Sequence, residues 1–196
     1  MKRDSSEHDH ADAMLAPRQQ TPPGWRVHKF EHAWRVRSPR AAVWAWLNDP
    51  ETFTKQIWPY WVEFLPGSGV AGGSGFAPGV LNAHHGPLLN ASGIITSVDL
   101  GPDGKGRYRD LQYCYGSFVI GMRFVRPRRL EFWIDDADTA GESTVRVRLV
   151  SDVAPWFAAV WGAINRGFWL SFPGWMRSGA RKRARQQTSR PGDGRG

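Results

Sequence analysis

The sequence predicts an α+β fold in which one strand and two short helices precede an antiparallel meander and a long aromatic helix closes the domain. Three observations carry this reading. Segments of apolar–polar alternation follow one another through the middle of the chain, separated by turn signals such as GPDGKG and DADTAGE. A tandem of proline-led helical segments sits directly after the first alternating run. Beyond the last alternating run, Ala154 to Arg185 gathers tryptophan and phenylalanine at helical spacing and then turns basic.

Composition sets the frame for these elements. The chain has 196 residues, 41% hydrophobic and 13% aromatic, with 11 tryptophans and 10 phenylalanines against 4 tyrosines. A core of that kind stands without a metal or a disulfide staple. Cys114 is the single cysteine, which excludes an internal disulfide framework and any Cys-rich metal site and fits a reducing, cytoplasmic setting. Residues 1–24 lack an apolar h-region and mix acids with bases, so they read as a disordered leader rather than a signal peptide. The net charge of +8 is concentrated at the other end. Bases at 177, 181–183, 185, 190 and 195 face Asp193 alone, which leaves the body only mildly positive. The expected organisation is therefore a leader over 1–24, one domain over 25–176 and a basic, largely disordered tail over 177–196.

Each element follows from local pattern. Phe30, His32, Trp34 and Val36 alternate with Glu31, Ala33, Arg35 and Arg37, the period of a half-buried first strand. In SPRAAVWAWLNDPETF, Ser38 is expected to cap a helix opened by Pro39, with Val43, Trp44 and Leu47 as its apolar stripe. Asp49 and Pro50 repeat the device for a second short helix carrying Phe53 and Ile57. WPYWVEFLPG reads as a strand, and GSGVAGGSGFAPG is too rich in glycine for a regular element. The meander then comprises NASGIITSVDL, RYRDLQYCYGSF, RRLEFWIDD and STVRVRLVSDV, with one dry face and one wet, Arg-rich face. In the closing helix Trp156, Phe157, Val160, Trp161, Ile164, Gly167 and Phe168 gather on one side, and Pro173 with Gly174 is expected to break or kink it, after which WMRSGARKRARQQ reads as a basic helical continuation that fades into TSRPGDGRG.

The segment FEHAWRVRSPRAAVWAWLNDPETF, Phe30 to Phe53, resembles the opening strand, Pro-led helix with a VWxxL core and D-P-E-x-F second helix of the START-like superfamily. That superfamily includes the polyketide cyclase/dehydrase and pollen-allergen-related (SRPBCC) proteins. The resemblance extends from about Trp25 to Trp175. It implies a helix-grip fold: a curved antiparallel sheet wrapped around the long C-terminal helix, with a cavity between them that takes up a lipid- or polyketide-like molecule. It supplies no catalytic motif and implies no cofactor.

On that frame, the residues expected to line a ligand site are Trp58, Trp61, Tyr113, Trp133, Phe157, Trp161, Ile164 and Phe168. Trp156 is expected on the same inward face. For chemistry, the candidates are His85, Arg109 and Tyr113: an imidazole suits proton transfer, and a tyrosine hydroxyl with an arginine suits a carbonyl, carboxylate or enolate. Adjacent His84 and His85 point opposite ways in a strand, which disfavours a shared metal, and no metal site is expected. Asp135, Asp136 and Asp138 read as a solvated hairpin turn. Cys114 reads as a small apolar side chain.

Asn165, Arg166 and Pro173 make the aromatic stretch unfit for a membrane span. Its basic continuation suits weak contact with anionic lipid, and because the aromatics precede the bases rather than interleave with them, no specific nucleic-acid partner is expected. The expected role is to bind, sequester or carry a hydrophobic small molecule. The alternatives are a cyclase or dehydratase working in the same cavity and a peripheral membrane adaptor using the tail.

Overall fold

The computed structural model describes residues 21–55, 59–65, 74–86, 89–99, 106–116 and 123–188. Its elements run β1 (Arg26–Val36), α1 (Arg40–Leu47), α2 (Pro50–Lys55), β2 (Trp61–Phe64), β3 (Leu81–Gly86), β4 (Leu89–Asp99), β5 (Arg107–Gly116), β6 (Val125–Asp136), β7 (Ser143–Val153) and α3 (Ala158–Thr188), the last led in by a 3₁₀ turn over Pro155–Phe157. The expected leader lies outside the described residues apart from its last four, and so do Ile57 and Trp58.

All seven strands join one antiparallel sheet in the order β1-β7-β6-β5-β4-β3-β2. The β1 alternation holds residue by residue, with Phe30, His32 and Trp34 half-buried between exposed Lys29, Glu31, Ala33 and Arg35. Register shifts occur between Ser92 and Gly93, Ile95 and Ser97, and Pro127 and Arg129. Pro127 has no N–H to give to a ladder, so a central strand tolerates it only at such an irregularity, and bulges add the twist that bends a sheet. The structure adds β3, Leu81–Gly86, a strand that the sequence reading leaves unassigned.

The convex face is the wet one. Arg129 donates from Nε to Asp110 Oδ1 at 2.8 Å, Tyr108 donates to Glu131 at 2.8 Å, and Arg148 donates from Nε to Glu31 at 2.7 Å. Burial, with Asp110 and Glu131 close by, raises the Tyr108 pKa, so its hydroxyl stays protonated and donates.

On the concave face the second half of α3 forms the core with α1. Phe172 meets Trp34 and Trp46 edge-on, with ring centroids 6.0 and 5.7 Å apart, and Met176 and Trp46 are fully buried. Asp49 accepts from Glu51 N at 2.9 Å, as expected of a cap for α2. Ser38 does not cap α1: Pro39, at ψ 145°, is itself the residue before the first turn, and no side chain caps it. Nor does Pro173 end α3, which runs on through the position of the expected tail boundary to Thr188. Arg177 Nε donates to the Pro173 carbonyl at 3.2 Å and Ser171 to the Gly167 carbonyl at 3.1 Å, side-chain bonds to helix carbonyls on either side of the proline.

Candidate functional site

Between the first half of α3 and the concave sheet lies a cavity of about 500 Å³. Its roof is Phe157 of the 3₁₀ turn with Trp161, Ile164 and Phe168 of α3; its floor includes Leu111 on β5, Leu130 and Phe132 on β6 and Leu149 on β7. Trp169 and Phe172 belong both to the cavity wall and to the buried core beside it. The volume suits a small organic molecule, and the walls are mostly aromatic and aliphatic.

The helix faces the sheet with a stripe rotated from the expected one. Trp161, Asn165, Trp169, Phe172 and Met176 are buried, while Trp156 is 66% exposed and Val160 46%. Trp156 sits in the 3₁₀ turn, whose tighter winding takes it out of phase with the helix that follows, and its ring packs on Phe124 at 4.8 Å instead of turning inward. Asn165 is buried because its amide donates to Trp161 O at 2.8 Å within the helix.

Of the expected ligand-site residues, Trp61, Tyr113, Phe157, Trp161, Ile164 and Phe168 line the cavity, with Trp61 and Ile164 at its exposed edge, 49% and 44% accessible. Trp58 lies outside the described residues. Trp133 does not line the cavity: it points to the convex face, held between the guanidinium groups of Arg146 and Arg148 at 4.5 and 4.9 Å from its ring. The strand period itself demands this, since neighbours Phe132 and Ile134 belong to the concave core.

The three polar candidates all contribute to the walls. β5 places Arg109, Leu111 and Tyr113 on the concave side. Arg109 is 4% exposed, and its guanidinium lies 4.1, 5.0 and 5.3 Å from the Phe76, Phe132 and Phe53 ring centroids. Its Nη1 donates to the Leu47 carbonyl at the C-terminus of α1, the negative end of that helix, and to Asn48 Oδ1 at 3.4 Å. Among the described residues no carboxylate pairs with it. Burial pulls its pKa down to about 9, with Tyr113 acting the other way, so it remains a cation at neutral pH. Burial likewise raises the Tyr113 pKa, against the pull of Arg109, and the hydroxyl stays protonated.

His84, rather than His85, turns towards these two groups. Its ring meets Tyr113 edge-on at 5.3 Å, and its Nε2 lies 2.9 Å from Asn82 Oδ1. With Asn82 Oδ1 accepting, Nε2 carries the proton and Nδ1 is left as an acceptor. Burial first, then Arg109 and His85, push its pKa down to about 3, so the imidazole is neutral. His85 stacks flat on Trp61 at 4.8 Å, with Nε2 3.4 Å from Glu63 Oε2 at the cavity edge. The sequence signal for His84 is only its parity with Val62 and Tyr113 across neighbouring strands, invisible until β3 is assigned. Cys114 has its backbone in β5, and its side chain lies outside the described residues.

No family model and no curated protein matches the sequence. Solved structures do. Zhui aromatase/cyclase from Streptomyces sp. R1128 superposes with a TM-score of 0.59 at 14% identity, covering 81% of this chain and 96% of that one. Norcoclaurine synthase from Thalictrum flavum gives 0.56 at 11% identity over 84% and 93% of the two chains. A structural-genomics protein from Nitrosospira multiformis gives 0.56 at 12% identity over 79% and 99%. Likeness of this extent at such identities speaks for architecture, and the curved antiparallel sheet holding a C-terminal helix in this chain is the helix-grip fold of these structures.

Proposed function

We propose that this protein binds a hydrophobic small molecule in the cavity between sheet and helix, to sequester or carry it. The observation that carries the reading is the cavity itself: about 500 Å³, roofed and floored by aromatic and aliphatic side chains, in a domain whose neighbouring core is closely filled. An apolar molecule of matching size gains roughly 25 cal/mol for each Å² of surface it removes from water there. Norcoclaurine synthase, of the same fold, has been captured with dopamine and hydroxybenzaldehyde, which are small aromatic molecules.

The uncharged fluorophore phenylnaphthylamine tests this directly. We expect saturable uptake with a blue-shifted emission, weakened roughly tenfold or more by Trp161→Ala and unchanged by Trp133→Phe, since the first removes a wall and the second acts on the convex face. Native mass spectrometry of the freshly purified protein should reveal a co-purifying organic molecule. Protein recovered empty that also takes up no fluorophore overturns the reading.

Cyclase or dehydratase chemistry in the same cavity is a second reading, favoured by Arg109, Tyr113 and a neutral His84 lining one space. Covalent change in the co-purified molecule on incubation with the protein separates turnover from carriage. A peripheral membrane role is a third reading, favoured by exposed Trp156 and Leu170 on the helix that carries the basic run.

A further inference from the structure

The cavity contains a charge that the protein does not neutralise. Arg109 is buried among the rings of Phe53, Phe76 and Phe132, and no carboxylate among the described residues reaches it. An uncompensated buried cation is among the costlier features a small domain can keep. Three half-buried arginines of the sheet are treated differently: Arg129 has Asp110, Arg148 has Glu31 and Glu131, and Arg128 has Asp152.

Capping α1 accounts for only part of Arg109. Both of its hydrogen bonds leave from Nη1, to Leu47 O and Asn48 Oδ1. Its Nε and Nη2 donate to no described residue, yet neither belongs to the buried polar atoms sealed away without a partner. The residue that carries them lines the cavity. One more donor shares that wall without an acceptor among the described residues: the Tyr113 hydroxyl, held protonated by burial. Against this set of donors, polar acceptors on the wall are few, the neutral His84 being the principal one.

We infer that the ligand is an amphipath, an apolar body carrying one oxyanion such as a carboxylate, whose charged end is received by Arg109 and Tyr113 while the body lies under Trp161 and Phe168. The inference rests on the cavity being a ligand site. A guanidinium fork donates to two oxygens of a planar oxyanion at once, and the tyrosine hydroxyl supplies a further donor. The bound anion provides the counter-charge that the fold lacks, and a neutral analogue of equal shape leaves those donors unpaired. Among the described residues no carboxylate lines the cavity to compete with the anion, and His84, neutral, shares the wall.

The test compares anilinonaphthalene sulfonate with phenylnaphthylamine, the same skeleton without the anion, on the full-length protein at neutral pH. The wild type should bind the sulfonate about 10-fold or more tightly than the neutral parent, the scale of one charge-assisted hydrogen bond. Arg109→Gln should abolish or reverse that order, read as the ratio of the two affinities within the variant, and Tyr113→Phe should narrow it. Equal binding of the two by the wild type, or a sulfonate preference that survives in Arg109→Gln, overturns the anchor while leaving the cavity reading intact. Absence of binding by either compound overturns the cavity reading itself. Should Arg109→Gln unfold through loss of the α1 contact, the wild-type ratio and Tyr113→Phe still decide. An Arg109 that served only as a cap would lower the melting temperature when replaced and leave the wild type without preference for the anion.

Discussion

His84 is an imidazole that the fold keeps neutral, and this has a measurable signature. Its pKa of about 3 in the folded protein lies below the 6.5 of a free histidine, chiefly because its ring is buried. Above about pH 6.5 the ring is neutral in both folded and unfolded chains and contributes no pH dependence. Below that, the unfolded chain takes up a proton that the folded chain refuses, so stability falls with pH until roughly pH 3. The slope for one such group is on the order of 1 kcal/mol per pH unit. Chemical denaturation between about pH 6 and pH 4 should therefore show the wild type losing stability faster than His84→Gln by that slope. Parallel slopes for the two proteins would mean that the ring takes up its proton in the folded state and is accessible to water.

At the scale of elements, the close approach of α1 and α3 depends on the absence of a side chain. A Cβ at Gly179 would fall 1.8 Å from Trp46 Nε1 and 2.2 Å from its Cδ1, and that indole is fully buried against Phe53 and Phe172. Alanine in a helix gains up to about 1 kcal/mol over glycine, but overpacking a filled core costs about 1–3 kcal/mol, so the clash wins. Gly179→Ala should lower the melting temperature, whereas Gly174→Ala, whose Cβ meets nothing within 4 Å, should raise it. A stabilised Gly179→Ala would contradict the tight packing of the two helices. The elements themselves were largely legible, because the alternation in β1, β6 and β7 and the Asp49–Pro50 start of α2 are local signals. Strand β3 was not, since LNAHHG pairs two histidines instead of alternating, and its place comes from pairing with β2 and β4. The phase of α3 was also hidden. Apolar residues nearly encircle its first turns, so composition alone does not say which of Trp156 and Trp161 points inward. For the site, the parity of Arg109, Leu111 and Tyr113 was readable, but an arginine on a dry face runs against the ordinary sorting of charge to solvent, and only packing reveals it.

The molecule as a whole exposes large apolar side chains next to the cavity, on the elements that lead into the basic run. Trp156 of the 3₁₀ turn is 66% exposed and Leu170 of α3 67%, with Val160 and Ile164 partly exposed on the same helix. Trp61 and Ile164 stand at the edge of the cavity, so these side chains and the cavity share a border. No helix among the described residues is long and apolar enough to cross a membrane, but a helix lying flat needs only exposed apolar side chains of this kind. The bases of 177–196 outnumber Asp193, and the first of them, Arg177, is an exposed residue of α3. Each base near an anionic bilayer contributes about 1 kcal/mol, and each buried aromatic adds the transfer of its ring into the interface. The combination predicts co-sedimentation of the full chain with phosphatidylserine-containing vesicles, little with neutral phosphatidylcholine, and release as salt shortens the range of the charge. Removal of residues 177–196 should abolish the binding to anionic vesicles, while Trp156→Ala with Leu170→Ser should weaken it at constant charge. A full chain that stays in the supernatant with anionic vesicles at low salt excludes a membrane role for these side chains and leaves cavity binding as a property of the free protein. Binding that survives the truncation but fails in the double variant would instead assign the contact to the apolar side chains, and the basic run would then serve to hasten encounter rather than to hold the protein at the surface.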